Sequence, residues 1–124
     1  MRFQELFAYQ KSIELSMQIF EVSKSFPKEE TYSLTDQIRR SSRSVSAAIA
    51  EAYRKRDYPR HFTSKLTDGD AENSETQVWL EYAYRCSYLP KIDYQRLVGE
   101  SEEVGKLINY MILNPGKFGV KKAE

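Results

Sequence analysis

The sequence predicts an all-α fold, an antiparallel up-and-down four-helix bundle. Apolar residues recur every three or four positions in four long segments, a spacing typical of amphipathic helices. Glycine and proline are scarce, with 5 and 4 among 124 residues, which argues against a fold of many strands and turns. That length suits one core and is too short for two ordinary domains. We therefore expect a single domain over 1–124, with helices at about 4–26, 33–56, 59–89 and 93–114 and a loose tail at 115–124.

The first predicted helix carries two apolar stripes, which are rotated from one another at 100° per residue. The first stripe consists of Leu6, Tyr9, Ile13, Met17 and Phe20. The second consists of Ala8, Leu15, Ile19, Val22 and Phe26. One stripe satisfies the core of a bundle, so the other either thickens that core or contacts another subunit.

The second predicted helix starts after Ser33, where Asp36 three residues later resembles a capping box. Its middle, 41–50, is crowded with serine and alanine, although serine is a mediocre helix former. Small side chains let a neighbouring helix approach closely, so we expect a tight helix contact here. Its predicted buried face consists of Leu34, Ile38, Val45, Ile49 and Ala52.

The third and fourth predicted helices are delimited by prolines. Pro59 suits a first helical turn, and Pro90 ends the third helix before Asp93 can cap the fourth. Asn73 and Gln77 lie one turn apart on the predicted core stripe of the third helix. Buried amides need hydrogen-bond partners, so we expect this pair to stabilise one helix register rather than to catalyse a reaction.

The third helix also has a second apolar stripe, so two helices offer apolar surface beyond the needs of one core. We favour contact with another subunit, because nine tyrosines and six phenylalanines must be accommodated. The predicted oligomer interface consists of Leu15, Ile19, Val22, Phe26, Val78, Tyr82 and Leu89.

Charge is distributed unevenly along the chain, although the net charge is only +1. Residues 39–65 hold eight Lys/Arg and two Asp/Glu, whereas 68–105 hold three and nine. Arginines on the side of the second helix opposite its apolar face can bind phosphates through charge and bidentate geometry. They can equally pair with acidic side chains within the subunit or across an interface, and the sequence leaves both possibilities open. The candidate nucleic-acid contacts are Arg39, Arg40, Arg43, Arg54, Lys55, Arg56 and Arg60.

No pattern of catalytic or metal-binding residues is present in the sequence. Asp68, Glu72 and Glu75 share a helix face, but the Glu-x-x-His pairs of di-metal bundles are absent, so we expect no metal and no cofactor. His61 has no partners that would make it a general base. The lone Cys86 suits a reducing compartment, and the N-terminus has no apolar signal core, so we expect a cytoplasmic protein without membrane contact.

Three stretches resemble the 23S rRNA intervening-sequence protein family of four-helix bundles. They are Phe26 to Ser41 (FPKEETYSLTDQIRRS), Ser44 to Ala52 (SVSAAIAEA) and Glu75-Thr76-Gln77. Two departures are Ala52, where the family usually has glycine, and Ala48, where it usually has asparagine. The family is similar to the accessory protein of diversity-generating retroelements, a pentameric barrel whose basic surface binds nucleic acid and a reverse transcriptase.

The resemblance implies a cyclic homo-oligomer, with five subunits expected. Together with the basic residues, it predicts a non-enzymatic module that associates with RNA, DNA or a ribonucleoprotein component such as a reverse transcriptase. The alternative is a protein-protein interaction scaffold that binds no nucleic acid. A hydrolase that uses the Asp68–Glu75 carboxylates with a divalent ion is a third, less favoured hypothesis.

Overall fold

The computed structural model describes residues 1–121, in which helices are joined by short connections and no strand occurs. The four long helices are α1 (Phe7–Ser23), α2 (Leu34–Arg54), α3 (Pro59–Arg85) and α4 (Lys91–Leu113). Each packs against its neighbours in the chain, and α4 packs back against α1, so α2 and α4 lie diagonally opposite each other. The predicted four-helix bundle is confirmed. No helix in this part of the chain is long and apolar enough to cross a membrane.

The helix ends differ from those predicted. The extended backbone of Leu6 separates α1 from a short 3-10 helix at Phe3–Glu5, and α1 ends at Ser23 rather than near 26. Helix α3 ends at Arg85 rather than near 89, because Ser87 takes a left-handed conformation with φ of 64°.

Both predicted side-chain caps are wrong. The Ser33 hydroxyl donates to the Glu30 carboxylate instead of capping α2, so Ser33 and Asp36 form no capping box. Helix α4 starts at Lys91, directly after Pro90, and Asp93 lies inside its first turn, where it pairs with Arg96.

The predicted loose tail is also corrected for the residues that the structure describes. Pro115–Phe118 forms a 3-10 helix, and Gly119 reverses the chain with φ of 85°. Val120 is then buried against the core. Residues 122–124 lie outside the described part of the chain.

The helix contacts depend on small side chains in the middle of α2. On one side, the Ser12 and Ser46 hydroxyls lie 2.8 Å apart across the α1–α2 contact. On the other side, the Ser41 hydroxyl lies 2.9 Å from that of Thr76 in α3. The close approach predicted for 41–50 is confirmed, and the serines are tolerated there because their hydroxyls are paired.

The interface predicted on the second stripes is largely wrong. Leu15, Ile19, Phe26 and Leu89 are buried within the protomer, with Ile19 at 0% exposure, so they are not available to another subunit. Val22 is half-buried and packs against the same core.

The first stripe of α1, which was expected to face the core, leaves two of its side chains exposed. Ile13 and Met17 are 38% and 55% exposed, because buried serines such as Ser12 and Ser16 occupy the contact with α2. Of the predicted interface residues, Val78 and Tyr82 are exposed, at 49% and 55%.

A buried polar network joins α3 to α4. The Asn73 amide donates to the Ser101 carbonyl at 2.8 Å, and the Ser101 hydroxyl donates back to the Asn73 side-chain oxygen at 2.9 Å. The Gln77 amide nitrogen also lies 2.9 Å from that hydroxyl. Both amides have a hydrogen-bond partner, as expected, and that partner is Ser101 of α4.

Candidate functional site

Three of the predicted basic residues, Arg39, Arg40 and Arg43, line one open groove along the outer face of α2. The groove has a volume of about 650 Å³. Its remaining lining residues are Thr31, Tyr32, Thr35, Asp36, Ser44 and Ala47. The arginine side chains are long, whereas Ser44 and Ala47 in the same lining are short.

Two of these arginines are held in place by an aromatic ring of α1. The guanidinium carbons of Arg39 and Arg43 lie 4.8 and 5.8 Å from the centre of the Phe20 ring. The Arg39 Nε also donates to the Ser23 hydroxyl at 2.8 Å. Among the described residues, no carboxylate forms an ion pair with either arginine. Their charges are therefore oriented by Phe20 without being neutralised.

Arg40 behaves differently, because it reaches across to α3. It forms ion pairs with Glu72, at 3.3 Å, and with Glu75. Arg40 therefore pairs with acidic side chains within the subunit. Its charge contributes less to the groove than the charges of Arg39 and Arg43.

The other four predicted contacts lie at or beyond the far end of α2, where Arg54 is about 22 Å from Arg39 at the helical rise per residue. Arg54, Lys55 and Arg60 are exposed. Arg56 is not free, because its guanidinium stacks on Tyr53 at 3.8 Å and its Nε donates to the Tyr53 carbonyl. The seven residues therefore form two separate groups, and Arg56 has a structural role.

A second cavity, of about 390 Å³, lies between the start of α2 and the end of α3. The Trp79 indole nitrogen beside it is buried and has no hydrogen-bond partner. The Glu30 carboxylate on its rim accepts hydrogen bonds from Ser33 and Tyr88, which lower the pKa of Glu30. The same contact with Glu30, with burial, raises the pKa of Tyr88 to about 12.

In the described part of the chain, the residues that could catalyse a reaction or bind a metal lie apart from one another. Among residues 1–121, no cluster of three His, Cys, Asp or Glu side chains has the proximity needed to hold a metal ion. His61 is exposed and lies beside the Tyr58 ring, with 6.0 Å between the ring centres. Cys86 is exposed as well.

Sequence reasoning missed two aromatic residues of the site. The sequence places Phe20 on an apolar stripe, and Tyr32 falls between the predicted helices 4–26 and 33–56. The signal that could have identified Phe20 is its pairing with two arginines on an adjacent helix, which requires knowing that α1 and α2 are in contact. Tyr32 carried a local signal, since it precedes the basic helix by two residues.

Comparison with known proteins identifies the family. The model of the 23S rRNA-intervening sequence protein family matches residues 4–110. The chain belongs to this family. A solved structure similar to this 23S rRNA-intervening sequence protein is a protein of unknown function from the S23 ribosomal protein family of Bacteroides thetaiotaomicron VPI-5482. The two share 30% identity with a TM-score of 0.77, over 85% of this chain and 94% of the other. No curated protein matches the sequence.

Proposed function

We propose that this protein is a non-enzymatic, oligomeric module of the cytoplasm that binds nucleic acid through the outer face of α2. The observation that carries the proposal is the position of Arg39 and Arg43, which are oriented on Phe20 and paired with no carboxylate among the described residues. Guanidinium groups free of acidic partners bind phosphate oxygens by charge and by paired hydrogen bonds. Arg54, Lys55 and Arg60 extend the positive surface beyond the groove.

The test removes two positive charges from the basic surface. Arg43→Gln with Arg54→Gln changes two exposed side chains, and affinity for RNA and DNA is measured by fluorescence polarisation over a range of salt concentrations. Each lost phosphate contact reduces the salt slope by about 0.7 for single strands or about 0.9 for duplex DNA. We therefore expect the double variant to bind more weakly and with a slope lower by roughly 1.4 to 1.8.

The matched control removes the same charge from the opposite side of the bundle. Lys91 and Lys106 are exposed on α4, the helix diagonal to α2, so Lys91→Gln with Lys106→Gln should leave the slope unchanged. Absence of binding by the unmodified protein at low salt would contradict the proposal and leave the protein-interaction scaffold as the better account.

The oligomeric part of the proposal rests on charge and on exposed apolar side chains. Glu72 and Glu75 of α3 pair with Arg40, but Asp70 of α3 and Glu102 and Glu103 of α4 are exposed. These acidic residues and the basic outer face of α2 are surfaces of opposite sign, which favours a head-to-tail contact that closes into a ring. Val78 and Tyr82 add exposed apolar area. Five subunits is the number that the family resemblance suggests, and a reverse transcriptase or another ribonucleoprotein component is the proposed protein partner.

Light scattering tests the assembly. We expect a mass several times that of the 14.5 kDa chain, and smaller species for Val78→Lys with Tyr82→Lys. Because both side chains are about half exposed, the variant should keep its helical circular dichroism. A monomer at high concentration would refute the ring.

A further inference from the structure

We infer that the groove on α2 selects single-stranded over duplex nucleic acid, with an unpaired base stacked on Tyr32. This inference rests on the proposed function and names the ligand class of the same groove. Tyr32 lies at one end of the groove and is 93% exposed, the largest exposure among the large apolar and aromatic side chains of the described residues.

The Tyr32 ring is free, whereas the backbone that carries it is held. In the part of the chain that the structure describes, its ring forms no aromatic pair and no cation–π contact. On one side, the Thr31 hydroxyl donates to the Lys28 carbonyl at 2.7 Å. On the other, the Ser33 amide donates to the Glu30 carbonyl at 3.1 Å. A free ring on a held backbone binds a flat partner at a low entropic cost.

The charged side chains favour phosphate at one position in the groove and an uncharged base at another. Asp36 lies between Tyr32 and the arginines along the chain, and its carboxylate repels phosphate. Phosphates are therefore favoured beside Arg39 and Arg43, while an uncharged base is favoured beside Tyr32. Aromatic rings next to a positively charged groove are how proteins bind single strands without reading their sequence.

A duplex cannot use the Tyr32 ring in this way. Its bases are stacked on one another and paired, and only unpaired nucleotides can turn a base face onto an aromatic side chain. Duplex contacts in this groove would be limited to phosphates, so a duplex loses the stacking contribution that a single strand retains.

The test compares three probes: a short single-stranded RNA, the same strand annealed to its complement, and an oligonucleotide of equal length with abasic sites. We expect Tyr32→Ala to weaken binding of the single strand by about five- to hundredfold, the loss that follows removal of a stacking aromatic. Tyr32→Phe should retain most of the affinity. The abasic probe should bind the unmodified protein about as weakly as the normal strand binds Tyr32→Ala.

Phe7→Ala is the matched control, because Phe7 is a 73% exposed aromatic residue at the start of α1 and outside the groove. It should leave all three affinities unchanged. Equal binding of single strand and duplex, or an unchanged affinity in Tyr32→Ala, would overturn this inference and leave the proposed function standing. Absence of binding to every probe at low salt would overturn both.

Discussion

At the scale of single residues, Trp79 is the one described side chain with a buried polar atom that lacks a partner. An unpaired buried donor costs about 1–3 kcal/mol, comparable with what the additional ring area of tryptophan contributes. We therefore expect Trp79→Phe to change the free energy of unfolding by less than about 1 kcal/mol in urea denaturation.

The neighbouring residue provides the comparison for Trp79. Leu80 has 0% exposure, and Leu80→Ala should cost about 2–5 kcal/mol because it leaves a cavity. If Trp79→Phe lowers the free energy of unfolding as much as Leu80→Ala does, the indole nitrogen has a hydrogen-bond acceptor in solution.

Asp36 is the acidic residue of the basic groove, so its removal should have the opposite effect from removal of an arginine. Asp36→Asn should raise affinity for single-stranded RNA at low salt by up to about fivefold, the value of one weakly screened charge interaction in water. Glu103→Gln, at an exposed position of α4, is the control for the change in net charge. The gain should disappear at high salt. A gain of equal size in both variants would show that net charge, rather than the groove, determines binding.

At the scale of helices, Gly69 and Gly99 offer a matched pair of substitutions. A Cβ on Gly99 of α4 would contact nothing within 4 Å, so Gly99→Ala should stabilise the protein by about 0.5–1 kcal/mol through helix propensity. A Cβ on Gly69 of α3 would lie 3.1 Å from the Ala48 Cβ of α2. Gly69→Ala gains the same propensity but pushes the two helices apart. In thermal denaturation we expect a lower Tm for Gly69→Ala than for Gly99→Ala. The reverse order would mean that the α2–α3 contact tolerates widening.

The connection between α1 and α2 is tied to the α3–α4 turn by the hydrogen bond from Tyr88 to Glu30, 2.9 Å long. Because the pKa of Glu30 is lowered, its contribution to stability is present above its ordinary value of 4.5 and is lost as the pH falls. The pKa of Tyr88 is raised to about 12, so the bond also persists until strongly alkaline pH.

We therefore expect the difference in Tm between the unmodified protein and Tyr88→Phe to be largest near neutral pH and to shrink towards pH 3. Circular dichroism melts over this range measure it. A difference that is constant with pH would assign the effect of the substitution to packing instead of to the ionised Glu30.

At the scale of the whole molecule, helix number, order and approximate length followed from apolar periodicity, because four amphipathic segments with short connections have few ways to pack. The assignment of stripes failed for a physical reason. Ser12 and Ser16 are buried with their hydroxyls paired. If serine is counted as a surface residue, the predicted core-facing side of α1 is the wrong one.

The site was predictable only in part, for a related reason. Positions of arginines along a helix follow from the sequence, but their partners do not. Arg40 pairs with Glu72 of α3 and Arg39 lies on Phe20 of α1, both through contacts with residues distant in the chain, whereas Arg56 stacks on Tyr53 only three residues away. These contacts decide which charges remain available.

The hydroxyl-lined contact between α1 and α2 has a consequence for motion. Hydroxyl pairs exclude less apolar surface from water than leucine or valine side chains, and the α2–α3 contact is more extensive than either contact of α1. Local opening of the bundle should therefore begin with α1, whose amide hydrogens should exchange with deuterium before those of α3. Each opening removes Phe20 and Ser23 from beneath the guanidinium groups of Arg39 and Arg43, so a ligand bound to those arginines should slow exchange in a helix that it need not touch.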